Sequence, residues 1–132
     1  MSFLLLGGAA ADTLEGRTGT DFQTGGSGAD RFKVDSAGES AAGSGRDVVL
    51  DMTGIDRIDL SAIDPSPLGG DQAFAWLGQS TNAGPLASGS LRALDLGSTV
   101  IVQANTDGDA AIDLEVELRN FATTLVRDDF LL

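Results

Sequence analysis

The chain contains no cysteine, no histidine and no tyrosine, and it has a single tryptophan and three prolines in 132 residues. The first two absences exclude disulfides, zinc sites built on Cys and His, and every catalytic scheme that needs a thiolate or an imidazole. Basic residues are also scarce. Eight Lys and Arg stand against twenty Asp and Glu, a formal net charge of −12 at pH 7. That balance argues against binding nucleic acid, whose phosphates select for basic surfaces. It also argues against docking on anionic membranes. No segment is apolar over the length of a bilayer, so no membrane insertion is expected. The opening MSFLLLGGAA lacks a positively charged start, and its apolar run, Phe3 to Leu6, is too short for a secretory signal. Any export is therefore expected to use no N-terminal signal in this stretch.

What the chain does have is aspartate, glycine and apolar residues. Hydrophobic residues make up 42%, enough for the core of one ordinary domain. Sixteen of the acids are Asp and four are Glu, a bias that suits turns and compact oxygen cages better than solvated helices. The aspartates keep time: Asp12, Asp21 and Asp30 are nine residues apart, and Glu39 extends the beat. Residues 7 to 33 parse as GGAAADTLE, GRTGTDFQT and GGSGADRFK. Each pairs a glycine-rich turn ending in a carboxylate with a three-residue strand that sends one side chain inward. Leu14 and Phe32 fit that inward place. Gln23 does not, although its neighbour Phe22 is apolar. Ala10 and Arg17 stand where glycine is expected, at some conformational cost. Phe3 falls where a still earlier Asp would lie.

Beyond residue 33 the texture changes. Residues 35 to 46 are small and polar and read as a loop. VVLDM, RIDLS, QAFAWL, SLRALDL, STVIVQA and AIDLEVEL then follow as short strands separated by glycine and proline. Residues 112 to 118 alternate apolar and acidic strictly, the period of a half-buried strand. A single helical turn near Ser61 or Thr123 is compatible with the pattern. Three weaker features need weighing. Asn105, Asp107, Asp109 and Asp113 imitate a calcium loop, but Gly108 is misplaced for an EF-hand, and a hairpin tip at Asp107-Gly108 is the preferred reading. Asp47, Asp51, Asp56 and Asp59 are crowded enough for a further ion, although alternation along a strand explains most of them. Trp76 beside Phe74 reads as core before it reads as a sugar platform.

The nonapeptide G-G-x-G-x-D-x-U-x is the signature of RTX proteins. GGSGADRF, DVVLDMTGIDRIDLSAID, QAFAWLG, GSLRAL, NTDGDAAIDLEVEL and DDFLL together resemble the C-terminal domain of serralysin-type RTX metalloproteases. Met52 and Arg57 replace the usual Phe and Lys. Related modules occur in RTX alginate epimerases. The resemblance implies an all-β fold: a short calcium-binding parallel β-roll over residues 7–42, followed by antiparallel, β-sandwich-like strands over 43–132, as one module spanning 1–132. The family's zinc motif lies in a separate domain and is absent here, so no enzyme is expected. No Asp pair in the sequence stands out as an acid–base couple.

The resemblance also implies Ca²⁺ as the cofactor, held between loops stacked eighteen residues apart. Carried onto this chain, one site uses Gly8, Ala10 and Asp12 with Gly25, Ser27 and Asp30. A second uses Arg17, Gly19 and Asp21 with Val34, Ser36 and Glu39. An all-oxygen donor set with carboxylates suits a hard cation. The ending VRDDFLL reads as a last strand, Val126 to Leu132, and resembles the C-terminal signal of type I secretion. The functional expectation is a secreted, extracellular, non-catalytic module that folds on calcium and supports secretion or stability, with the type I machinery as a partner. The alternative is a polysaccharide- or protein-binding module of a secreted enzyme.

Overall fold

The computed structural model describes residues 4–17, 19–63, 74–81, 84–106, 112–121 and 124–132. Its regular structure is β-strand with three short 3-10 turns, at Ala37–Ser40, Gly43–Gly45 and Arg127–Asp129. Eleven strands run in chain order: β1 (Leu4–Leu6), β2 (Thr13–Leu14), β3 (Phe22–Thr24), β4 (Arg31–Lys33), β5 (Asp47–Val49), β6 (Arg57–Asp59), β7 (Ala75–Ser80), β8 (Ser90–Asp95), β9 (Thr99–Ala104), β10 (Leu114–Arg119) and β11 (Phe130–Leu131).

The first six strands alternate between two sheets. β1, β3 and β5 lie side by side and parallel in one sheet, and β2, β4 and β6 do the same in the other. The chain therefore winds as a coil, strand, turn, strand, turn. Leu4 pairs with Phe22 and Thr13 with Arg31, an offset of two nonapeptides per coil. Parallel pairing continues past residue 42, through β5 and β6.

The expected antiparallel strands are present, but they extend the roll's own sheet. β8, β9 and β10 form an antiparallel meander, β10 joins β5 in parallel, and β7 flanks β8 in parallel. The result is a seven-stranded sheet, β1-β3-β5-β10-β9-β8-β7, facing a four-stranded sheet, β11-β6-β4-β2. The core lies between them. Leu14, Phe32, Ile58 and Phe130 come from the smaller sheet, and Val49, Val102, Leu114, Val116 and Leu118 from the larger. Trp76 packs its ring on Phe130, with centroids 4.9 Å apart, which bears out its reading as a core residue.

Two positions depart from simple alternation. Gln23 takes the inward place in β3 at 2% exposure, and Phe22 turns out to the opposite face beneath the Arg119 guanidinium, 5.5 Å from its ring centre. Strand phase fixes which side chain points inward, whatever its polarity. In β10, Glu115 and Glu117 are buried although they face away from the core. Arg46 and Arg119 cover them. Arg46 donates to Glu117 from Nε at 2.9 Å and from NH2 at 2.7 Å, and Arg119 Nε donates to Glu117 Oε2 at 2.6 Å.

Phe32 sits at the centre of this packing, so Phe32→Ala is expected to cost about 3–5 kcal/mol in urea unfolding with calcium present. Leu4→Ala, at a side chain 65% exposed, is expected to change stability by no more than about 0.5 kcal/mol in the same assay.

Candidate metal centre

Each turn that follows a strand of the larger sheet stacks on its counterpart one coil below. The loop of residues 7–12 lies over 25–30, which in turn lies over 50–56. Backbone bonds set the first register: Gly7 donates to the Thr24 carbonyl at 2.9 Å and Arg31 to the Asp12 carbonyl at 2.7 Å. Asp12 N–H donates to Asp30 Oδ1 at 3.0 Å. Asp30 N–H then donates to Asp56 Oδ1 at 2.8 Å. On the opposite edge, Asp21 N–H donates to Asp47 Oδ1 at 2.9 Å.

The first predicted site is assembled by this stacking. Gly26 and Gly28 have φ of +82° and +92°, and a Cβ on either would collide with the loop above, on Gly8 O and on Ala10 C and O respectively. The Gly8 and Ala10 carbonyls thus lie directly over the lower loop. The Gly25 carbonyl rises to the upper one, 2.5 Å from where a Cβ on Gly7 would sit. Asp12 Oδ2 and Asp30 Oδ2 are buried and have no hydrogen-bond partner. A buried carboxylate oxygen without a partner is costly, and the remaining groups around it are carbonyls, which add negative dipoles. This donor set fits a hard divalent cation and suits nothing else among common ligands. Ser27 is exposed at the tip of the lower loop.

The second predicted site is not assembled as expected. Asp21 is fully buried, but the carboxylate on its rung is Asp47, not Glu39. The offset on this edge is 26 residues, where the first coil uses 18. The two 3-10 turns between Ala37 and Gly45 hold the extra residues. Val34 is in the core and donates its N–H to the Asp59 carbonyl at 3.0 Å. The Ser36 carbonyl closes its own turn, accepting Glu39 N–H at 3.1 Å. Glu39 joins Glu15 and Asp35 instead, with carboxylate oxygens within 4.8 Å of one another. There a hydrogen bond with Asp35 raises the Glu15 pKa, and the same bond, with Lys33 3.3 Å away, lowers that of Asp35. Arg17 and Gly19 keep the turn with φ of 64° and 94°. Arg17 holds the left-handed backbone that glycine takes at the equivalent Gly8 and Gly26, at a cost of about 1–2 kcal/mol.

Sequence reasoning missed the roles of Asp47, Asp51 and Asp56. Asp47 and Asp56 are themselves nine residues apart, so the beat resumes after the inserted turns. The Asp51 carboxylate accepts from Gly25 and Gly26 N–H at 2.9 and 2.8 Å. Asp56 Oδ2 accepts from the Thr53 N–H at 2.9 Å. Asp59 pairs with Ser61, whose N–H lies at 2.9 Å. Asp51, Asp56 and Asp59 are thus occupied by the protein itself, and the described residues give them no separate donor set for the further ion considered there. In the loop of residues 105–113, Asp113 Oδ2 accepts from Thr106 N–H at 2.8 Å and Asn105 binds the Leu86 carbonyl at 2.7 Å; Asp107 and Asp109 lie outside the described residues.

Burial, with the nearby charges of Asp21 and Glu39, raises the Asp47 pKa to about 7, against the lowering effect of the hydrogen bond from the Asp21 backbone. A carboxyl raised on folding stabilises the fold while protonated, and that contribution is lost as pH rises through the folded value. Metal-free protein is therefore expected to lose stability between pH 5 and about 7.5. Asp47→Asn keeps the acceptor for Asp21 N–H and removes the charge, so it should raise the melting temperature in chelator at pH 7.5 and flatten the pH profile.

No protein-family model and no curated protein matches the chain. Among solved structures it is similar to the AlgE6R3 subunit of the Azotobacter vinelandii mannuronan C5-epimerase, with 28% identity, 97% of this chain covered and a TM-score of 0.64. The match covers 66% of that chain, just under two thirds of its length. The AlgE6R2 subunit of the same enzyme aligns over 97% of this chain and 91% of its own, at 23% identity and a TM-score of 0.39. The R3 match bears out the RTX-type β-roll fold. Neither of these structures is a serralysin module, so the serralysin-specific part of the resemblance gains no support from them.

Proposed function

We propose that the chain is a non-catalytic β-roll module of a secreted protein, and that it binds calcium between the loops 7–12 and 25–30. The observation that carries this is the pair of buried, partnerless oxygens, Asp12 Oδ2 and Asp30 Oδ2, set among the carbonyls of Gly8, Ala10 and Gly25. The bound ion supplies the positive charge that these groups lack. Asp12 and Asp30 hold it from the two loops and so tie one coil to the next, while the glycine backbone brings the carbonyls within reach. Asp21 and Asp47 form the corresponding carboxylate pair on the other edge, replacing the Glu39 partnership.

The charge pattern makes folding depend on calcium. Without it, buried carboxylates oppose stacking of the coils. With it, binding to the folded state alone stabilises by about 2.7 kcal/mol per site at a hundredfold excess over Kd, a sizeable part of the roughly 5–15 kcal/mol of a domain. A calcium-poor cytoplasm then keeps the chain loose, and a calcium-rich exterior folds it. This supports export by a type I route, with the last strand, β11, read as part of the signal before it pairs with β6. Support for a non-catalytic role comes from Asp51 and Asp56, whose carboxylates are committed to backbone amides.

Calorimetric titration of chelator-treated protein is expected to show one or two calcium ions bound, with β-type circular dichroism appearing in step. Asp30→Asn keeps the acceptor for Asp12 N–H and is expected to abolish the tighter site. A chelated protein that is already fully folded and takes up no calcium would falsify the proposal.

A second reading has one observation in its favour. The outer face of the larger sheet brings together Arg46 and Arg119, far apart in sequence, with the Arg119 guanidinium over the Phe22 ring. Such a face suits an acidic polysaccharide, and the R3 structure belongs to an enzyme named for mannuronan. Saturable binding of alginate, lost in Arg119→Ala and diminished by salt, is the outcome expected of it.

A further inference from the structure

Asp51 lies outside the proposed calcium site, one loop further down, and takes no part in any set of metal ligands described above. Its carboxylate is nonetheless aimed at the site's lower loop. Oδ1 accepts Gly25 N–H at 2.9 Å and Oδ2 accepts Gly26 N–H at 2.8 Å, so both oxygens of one side chain grip two consecutive amides. Among the described residues there is no cis peptide bond. In a trans peptide the C=O points opposite to the N–H of the same unit. Drawing the Gly25 and Gly26 N–H groups downward therefore turns the Thr24 and Gly25 carbonyls upward. Both carbonyls are found there. Thr24 O accepts the Gly7 N–H of the upper loop at 2.9 Å, and Gly25 O faces Gly7 across the gap that holds Asp12 Oδ2.

We infer that Asp51 is a positioning residue for the calcium site: it aims the Gly25 carbonyl at the ion when the coils stack. This rests on the calcium-binding reading of that site. Two physical effects act together. Holding the peptide in its liganding orientation offsets part of the cost of ordering the loop around the ion. Donating an N–H to a carboxylate also polarises the peptide and makes its carbonyl oxygen a stronger donor. Asp56 does the same for the Asp30 backbone, but its second oxygen is committed to Thr53. Among the described residues, only Asp51 spends both oxygens on the loop that binds. The loop 50–56 thus closes the stack by presenting carboxylates upward in place of carbonyls.

Outer partners of metal ligands typically contribute ten- to a hundredfold in affinity. Asp51→Ala is expected to weaken calcium binding by about tenfold in calorimetry at 10 °C, where circular dichroism at saturating calcium confirms the fold. Asp51→Asn keeps one acceptor and is expected to fall between wild type and Asp51→Ala; it also serves if the alanine variant does not fold. Asp95→Ala is the control. Asp95 Oδ1 holds Gly97 N–H at 2.9 Å in the β8–β9 turn, a comparable bond remote from the roll. Its removal should lower the melting temperature without moving the calcium affinity. Unchanged affinity in both Asp51 variants overturns the inference and leaves the site standing, as does an equal loss in Asp95→Ala, which would make the effect one of global stability. A wild-type protein that binds no calcium overturns the proposed function itself and this inference with it.

Discussion

One interaction recurs at every level of the roll: an aspartate amide donates to the side chain of the aspartate one coil below. Asp12 donates to Asp30, Asp30 to Asp56, and Asp21 to Asp47. Each bond fixes the vertical register of two turns, and the register decides the rest. It places Leu14 over Phe32 over Ile58 in the core, and it sets the Gly8 and Ala10 carbonyls above Gly26 and Gly28. The same bond draws the carboxylates inward, where they are buried. The fold therefore creates a deficit of positive charge by the act that defines its geometry. On the first edge that deficit is left open between the upper two loops. Between the lower two it is closed with amides.

The chain handles its other buried acids differently. On the outer face of the larger sheet, Glu115 receives the Gly43 amide at 2.7 Å and the Gln103 side chain at 2.7 Å, while Arg46 and Arg119 clamp Glu117. The two arginines hold the Glu117 pKa below its usual value despite burial. With only eight basic residues to distribute, the protein places two of them, Arg46 and Arg119, over the buried acids of the sheet face. The contrast between the two faces is that the sheet neutralises its buried acids with arginines and amides, while the roll edge stacks carboxylates, the arrangement on which the proposed metal site rests.

Much of this was legible in the sequence, and the limits have identifiable causes. The nine-residue beat located Asp12, Asp21 and Asp30, and the strand phase located Leu14 and Phe32. Period-two alternation found β10. Gln23 defied a polarity rule because register outranks hydropathy when one face of a three-residue strand must point inward. Glu39 kept the beat in sequence but lost it in space, since the 3-10 turns before β5 lengthen that coil and hand the rung to Asp47. The interval between Asp47 and Asp56 carried the missing signal, but a repeat restarted out of phase is hard to recognise without its stacking partners. Which edge the β8–β10 meander would join was also beyond reach, because the β5–β10 pairing depends on residues far apart and on no local pattern.

That pairing has a consequence for the order in which the molecule becomes whole. β5 is the last strand of the roll within the larger sheet, and its free side is completed by β10, which lies about half a chain length away. On the other sheet, β6 is completed by β11 at the far end of the chain. Both halves of the roll are therefore closed by late segments, and contacts of high sequence separation dominate its finishing steps. Loop closure over such distances is slow compared with turn formation. A chain emerging through a narrow passage from either end acquires its early coils as isolated turns and gains the final partner strands only when nearly all of it is free.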